Sequence, residues 1–275
     1  MSSPAVAEAP SSHAEAEWAT RVELAALYRV MHLYGMTDIA NQEVGARVRG
    51  EPDCFLIHPY GLLFEEVRAS DLVKVRLDGT VIDGPGIWAG SGRESFVAHA
   101  GERWVSDGGV NLGKWIFGTR PDCDVFIHAH CEDVMAVSAT EGGLRPVSQA
   151  YIYLREQITY LGYDFAEDDE YAGLFRAAIA GHDIVVSHHH GCYALGRSAA
   201  EAFFRAFYLR QACSVQVKAA ATAVGAGERL NEMDPQRVAM IEDQMRASAH
   251  HHYDGSTEWA ALIRKLEREC PDYRT

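Results

Sequence analysis

Asp124-Val125-Phe126-Ile127-His128-Ala129-His130 is the stretch on which the reading of this chain turns. Val125, Phe126, Ile127 and Ala129 are apolar and bracket two histidines spaced i, i+2. In a strand that spacing puts both imidazoles on one face, where they can point at one metal ion. A second group, Ile184-Val185-Val186-Ser187-His188-His189-His190-Gly191, also ends an apolar run of strand character. Read as a continuing strand, it sets His188 and His190 on one face and His189 on the other, so either of the first two can be the third ligand. A lone His-x-His is often a surface pair on an edge strand. Two clusters that each close an apolar strand point instead to a three-histidine site with open coordination positions. Imidazole suits zinc, iron, manganese and copper alike, so ligand type does not identify the metal.

The rest of the composition narrows the class. A chain of 275 residues can bury a substantial core, and 48% hydrophobic with 23% charged residues is ordinary for a globular protein. A formal charge of −14 argues against nucleic acid or an anionic membrane as partner. The six cysteines (Cys54, Cys123, Cys131, Cys192, Cys213, Cys270) form no CxxC pair or tight framework, which fits reduced thiols and a cytoplasmic location. Cys131 and Cys192 adjoin the proposed ligands, but small buried strand cysteines are the commoner explanation. No apolar run approaches a membrane span, and the N-terminus lacks the basic and apolar regions of a signal peptide.

Residues 1–14 are rich in Ala, Pro, Ser and Glu and read as a disordered tail, leaving 15–275 as one domain. Ala16 to Tyr34 carries a broad apolar stripe and stops at Gly35, so it reads as a helix. Phe55 to Ile57 reads as a strand closed by the turn at His58-Pro59-Tyr60-Gly61, and Leu72 to Val81 as a hairpin about Asp78-Gly79. The glycine-rich segment 84–109 is a loop or irregular helix, and Ile152 to Tyr160 fits strand or helix. Helices are expected over Leu112–Phe117, Val134–Ala139, Glu170–Ala180, Ser198–Ala223, Pro235–Ala247 and Thr257–Glu269. Alternation with several short turns predicts an α/β fold: a mixed, antiparallel-rich sheet covered by helices on both faces.

Arg120-Pro121-Asp122, His128-Ala129-His130, then His190-Gly191 followed by Gly196 and Glu201-Ala202-Phe203, resemble in that order the RPD, HxH and NHG signatures and following helix of the class II aldolase/adducin family. The similarity runs from about Trp18 to the C-terminus, where Trp259-Ala260-Ala261-Leu262-Ile263-Arg264 and Pro271-Asp272-Tyr273-Arg274 look like the tail of the longer members. The resemblance implies a three-layer α/β/α domain, a homotetramer, and His128, His130 and His190 as metal ligands. It also implies three reaction classes: aldol cleavage of sugar phosphates with zinc, metal-dependent decarboxylation of hydroxy acids, and the oxidation of a prenylated hydroxyphenylpyruvate by the iron oxygenase of clorobiocin biosynthesis.

Departures from the family pattern choose among these. Where the aldolases carry an acid/base glutamate upstream of the RPD arginine, the ungapped equivalent here is Asp107-Gly108-Gly109. Their phosphate-binding Gly-Asn-x-Ser-x-Arg loop and Thr-x-Ser-Gly turn are matched by Asn41-Gln42-Glu43-Val44-Gly45-Ala46-Arg47 and His58-Pro59-Tyr60-Gly61. Gly45 replaces the serine, Glu43 adds a negative charge that repels a phosphate dianion, and Tyr60 stands as another hydroxyl donor. Loss of a positioned acid/base removes a contribution of roughly 10²–10⁴-fold to aldol cleavage, which oxygen chemistry at iron needs less.

The expected function is therefore a non-haem Fe(II) oxygenase that uses O2 to decarboxylate an aromatic oxo or hydroxy acid in aminocoumarin antibiotic biosynthesis. Tyr60 with Trp88, Phe96 and Trp104 suits such a substrate, although ordinary core packing accounts for aromatics as well. The alternative is a zinc or manganese decarboxylase or aldolase acting on a non-phosphorylated hydroxy or oxo acid, with Glu94 or Glu102 as acid/base. Arg93, His99 and Trp104 are candidate substrate contacts, and Arg93 or Arg120 could clamp a carboxylate, with Arg120 more often a turn-holding residue. His250-His251-His252-Tyr253 reads as a solvated loop or a cover over a neighbouring subunit's site. A third class is an adducin-like interaction module, which has no reason to keep three ligand histidines.

Overall fold

The computed structural model describes residues 12–88, 103–164, 168–248 and 253–275. Seven strands make one sheet: β1 (Glu43–Val48), β2 (Glu51–Ile57), β3 (Val73–Arg76), β6 (Val125–Ala129), β7 (Ile158–Leu161), β8 (Ile184–Ser187) and β9 (Gly191–Gly196). Their spatial order is β3-β2-β1-β6-β9-β8-β7, and every pairing is antiparallel except β7 with β8. Two short strands, β4 (Ile87–Trp88) and β5 (Val105–Ser106), pair in parallel beside it.

Strand alternation divides the core in two. On one face Val44, Ala46, Leu56, Val125, Ile127, Ile184, Val186 and Ala194 pack with α1 (Ser12–Leu33), α3 (Glu132–Ser138), α6 (Ala199–Ala226) and α8 (Ser256–Glu269). On the other, Phe55, Ile57, Val73, Val75, Phe126, Val185, Tyr193 and Leu195 pack with α2 (Asp107–Thr119) and α5 (Asp169–Gly181). Two apolar clusters on opposite faces of one mixed sheet give the three-layer α/β/α arrangement expected from the sequence. Two further helices, α4 (Gln149–Leu154) and α7 (Pro235–Ala247), complete the described set. No helix among the described residues is long and apolar enough to cross a membrane.

Most expected elements are present, and the departures are local. Residues 152–160 are helix and strand in succession, because α4 gives way through a short 3-10 turn to β7. The Asp78-Gly79 turn forms, with Arg76 N–H donating to Thr80 O at 2.9 Å and Val75 bridged to Val81. β1 covers most of the stretch Asn41 to Arg47 that the family resemblance implies is a phosphate-binding loop. It is a central strand, zipped between β2 and β6, and those two neighbours supply the pairing that its own Gly45 and Arg47 do not signal. The largest correction concerns His188 to His190. The strand stops at Ser187, and the three histidines form the tight turn into β9, with His189 at φ 63° and His190 N–H donating to Ser187 O at 3.2 Å. They share no strand face.

Candidate metal centre

His128 is the penultimate residue of β6, and His130 lies one residue beyond the strand's end. His190 closes the turn before β9, whose Cys192 is in register with Ala129. Gly191 allows this approach, since a Cβ there would lie 2.5 Å from Ala129 O and 2.9 Å from the His130 ring. The three Nε2 atoms converge: His128 to His130 is 2.9 Å, His130 to His190 is 3.2 Å, and His128 to His190 is 3.2 Å.

Hydrogen-bond partners fix which nitrogens carry protons. His128 Nδ1 lies 3.1 Å from Cys192 O, and His130 Nδ1 lies 3.1 Å from Asp38 Oδ2, so each Nδ1–H donates to an acceptor. The Nε2 atom of His128 then offers a lone pair, and it faces His130 Nε2 at 2.9 Å. Burial, reinforced by the neighbouring imidazoles, holds His128 well below the usual histidine range and lowers His190 to about 4. Three imidazole nitrogens gathered this closely suit a cation between them. Nitrogens about 2.0–2.1 Å from a tetrahedral ion would stand about 3.3 Å apart, so the observed triangle needs little change to take one. His128, His130 and His190 form the metal-ligand cluster found among the described residues. His188 is not part of it. Its Nδ1 donates to Ser138 O at 2.6 Å and its ring stacks on Tyr160.

Aromatic rings brace two of the three histidines. Tyr193 stacks on His128 at 4.3 Å between centroids, and Tyr163 stacks on His190 at 4.1 Å. Cys131 and Cys192 are buried, and burial pushes the Cys131 thiol up to about 11 and Cys192 further. Both belong to the apolar cluster on the face opposite His128, so they pack and do not ligate.

A carboxylate stands beside the imidazoles. Glu43 pairs with His128 across β1 and β6, which sets the two side chains on the same face, with Cβ atoms about 5 Å apart. Ser106 donates its hydroxyl to Glu43 Oε1 and accepts from Gly109 N–H at 3.0 Å, capping α2. Glu43 Oε2 is 4.0 Å from Nδ1 of His58, a residue that burial lowers to about 4. Two residues along β1, Gly45 faces Phe126, and a Cβ there would lie 2.4 Å from the Phe126 ring. The aromatic ring fills the space into which a serine at position 45 would project.

The remaining sequence candidates divide. Tyr60 follows the end of β2 on the same sheet edge as His128, and its N–H donates to Trp104 O at 2.7 Å; the Trp104 ring packs against Gly86. Arg93, Glu94, His99 and Glu102 lie outside the described residues, as do Phe96 and His250 to His252. Arg120 is no substrate clamp. It donates to both oxygens of Asp122 and to Asp183 at 2.8 Å, and to Ile179 O at 2.9 Å, at the far end of β6. Sequence reading missed Asp38, which sits in the turn Asp38-Ile39-Ala40-Asn41 where Asn41 N–H returns to Asp38 O at 2.9 Å. Ile39 has φ 50° and is 75% exposed, so a β-branched residue holds a left-handed conformation with no burial in return, at a cost of about 1–3 kcal/mol.

The comparisons with known proteins agree with this geometry. The Class II Aldolase and Adducin N-terminal domain matches residues 22–217. A putative aldolase class 2 protein of Caulobacter vibrioides is 32% identical over 260 residues, covering 94% of this chain and 93% of that one. Human gamma-adducin is 32% identical over 268 residues, of which this chain spans only 36% of the length. Among solved structures, an aldolase II superfamily protein from Pseudomonas syringae superposes with TM-score 0.81 at 32% identity, over 97% of this chain and 98% of that one. An L-fuculose 1-phosphate aldolase from Glaciozyma antarctica shares the fold, with TM-score 0.76 at 21% identity over 100% and 97% of the two chains. On fold, motif order and the histidine triangle together, the chain belongs to the class II aldolase and adducin family.

Proposed function

We propose that this protein is a divalent-metal-dependent carbon–carbon lyase, an aldolase or decarboxylase, acting on a small non-phosphorylated hydroxy or oxo acid. The observation that carries this is the triangle of imidazoles whose Nε2 atoms converge to within 3.2 Å of one another, beside a carboxylate on the adjacent strand. Family membership favours lyase chemistry over the oxygenase expected from the sequence, and Glu43, paired with His128 across β1 and β6, is proposed in place of the missing aldolase glutamate. When bound, the ion supplies Lewis-acid polarisation of a substrate carbonyl or carboxylate oxygen.

The chain's own groups do the rest. Cys192 O and Asp38 orient His128 and His130 so that both Nε2 atoms point inward. Glu43 holds a proton acceptor beside the ligands, and Ser106 fixes its carboxylate by donating to it. Glu43 thus takes or returns the proton as the carbon–carbon bond breaks; Glu94 and Glu102 remain sequence candidates for the same task. The Phe126 ring over Gly45 removes a hydroxyl donor that phosphate would need, and the Glu43 charge repels a dianion. Tyr60 and Trp104, linked through their backbones, are proposed to contact the substrate from the end of β2. Zinc and manganese are the first ions to test, with Fe(II) third, and a homo-oligomer is the expected assembly.

The experiment loads metal-free protein with each ion and offers non-phosphorylated hydroxy and oxo acids while recording cleavage products, CO2 and O2. The expected result is metal-dependent cleavage without O2 consumption, and roughly a 10²-fold lower turnover in Glu43→Gln at full metal content. Stoichiometric O2 uptake with Fe(II) and an aromatic oxo acid would overturn the lyase in favour of the oxygenase. Failure to retain any divalent ion would instead favour an adducin-like interaction module.

A further inference from the structure

Asp38 is a half-exposed carboxylate in a short polar turn, and its Oδ2 accepts from His130 Nδ1 at 3.1 Å. That turn is held to the histidine by more than this contact. Gln42 is 2% exposed, and its amide, turned so that oxygen meets donors, accepts from His130 N–H at 3.0 Å and Asp38 N–H at 3.3 Å. Its nitrogen donates to Met36 O at 3.0 Å, which secures the entry to the turn as well. One buried side chain therefore ties the backbone of Asp38 to the backbone of His130. Between Asp38 and Gln42 the chain reverses through Ile39 at φ 50°, with Asn41 N–H returning to Asp38 O. Positive φ at the first central position is the place where a glycine is preferred, and an exposed isoleucine gains nothing there from packing. A disfavoured conformation, a buried amide clamp and a carboxylate at one ligand's outer nitrogen all act on the same ring.

We propose that Asp38 is a positioning residue for the metal centre, held by the Ile39 turn and the Gln42 clamp, and that it fixes His130 as an Nδ1–H tautomer with Nε2 aimed at the ion. This rests on the reading of His128, His130 and His190 as metal ligands. His128 is oriented by a neutral backbone carbonyl, Cys192 O, whereas His130 is oriented by a charged group, which makes its imidazole the more electron-rich donor. The conformation of the Asp38 turn thereby sets how tightly the ion is held. It does so from outside the coordination sphere, with no part in the bond-breaking step.

The test measures dissociation constants for Zn(II) and Co(II) by chelator competition, with the cobalt visible spectrum recorded in parallel, on the full chain. Asp38→Asn is expected to weaken binding roughly 10–100-fold and to shift the cobalt spectrum, while the metal-free variant melts as the wild type does. Asp38→Glu, which keeps the charge, is expected to recover part of the loss. Ile39→Pro, which forbids the positive φ, is expected to weaken binding as Asp38→Asn does while leaving the Asp38 carboxylate in the chain. Wild-type affinity in both Asp38→Asn and Ile39→Pro would overturn the inference and leave the metal centre standing. Absence of ion binding by the wild type would overturn the metal centre itself, and the inference with it.

Discussion

The two ends of β6 carry comparable densities of polar side chains and handle them in opposite ways. Before the strand, every guanidinium contact of Arg120 meets an acceptor, and Asp183 in turn accepts from Arg205 at 2.7 Å while Glu201 pairs with Arg205 and Arg197. The Arg120 guanidinium holds Asp122 near 2, below the usual carboxylate range. Beyond the strand, His128 and His130 turn their Nε2 atoms toward each other and toward His190. A saturated network fixes two elements against one another, whereas three converging imidazole nitrogens suit a cation. Charge satisfaction, more than residue type, separates the staple from the site.

That contrast can be broken most sharply by exchanging the damage. His128→Ala should abolish stoichiometric metal binding and metal-dependent turnover and leave the ion network untouched, as elemental analysis and a thermal melt of the metal-free protein would report. Arg120→Ala should lower stability by about 1–2 kcal/mol, because Asp183 keeps only Arg205 and two backbone acceptors lose their donor, with unchanged metal content per folded chain. Loss of metal in the Arg120 variant at temperatures where it remains folded would erase the distinction.

Acid should separate the two ends as well. His58, His128 and His190 all have folded values depressed by burial, to about 4 for His58 and His190. Above the unfolded value of about 6.5 both states are neutral there and no penalty arises. Between about 6.5 and 4 the unfolded chain takes up protons that the folded chain refuses, so stability falls with pH across that window. Melts of metal-free protein from pH 8 to about pH 4 should show this fall, and His58→Leu should flatten it by about one proton. The smallest expected effect is at Ile39. Ile39→Gly relieves the left-handed strain and should raise stability by about 1 kcal/mol, seen as a higher denaturation midpoint.

What the sequence could reveal follows from which signals are local. His128 and His130 were legible because a short apolar strand with period 2 carries its own geometry. The long helices were legible for the same reason, and α5 and α6 lie within a few residues of their expected limits. His188 was misread as a strand residue because nothing in Ser187-His188-His189-His190 announces a turn, and the reversal rests on a histidine at positive φ. β1 carries a strand signal of its own, because Val44, Ala46 and Val48 alternate with Glu43, Gly45 and Arg47; what stays hidden in the sequence is its pairing on both sides, with β2 and β6. Glu43 was noticed, but as a repellent for phosphate; its place opposite His128 depends on a register visible only once the sheet is assembled. Asp38 had no signal beyond being an aspartate in a polar turn.

The pairing of Ala129 with Cys192 brings His190 to a pair of ligands sixty positions earlier in the chain. Closing so long a loop is entropically slow, and it comes late relative to local helix and hairpin formation. A nascent chain thus holds His128 and His130 well before His190 arrives. An ion offered early meets only a weak bidentate pair, and firm retention waits on completion of the central sheet. Retention of an ion by the three histidines would in that case report completion of the central sheet.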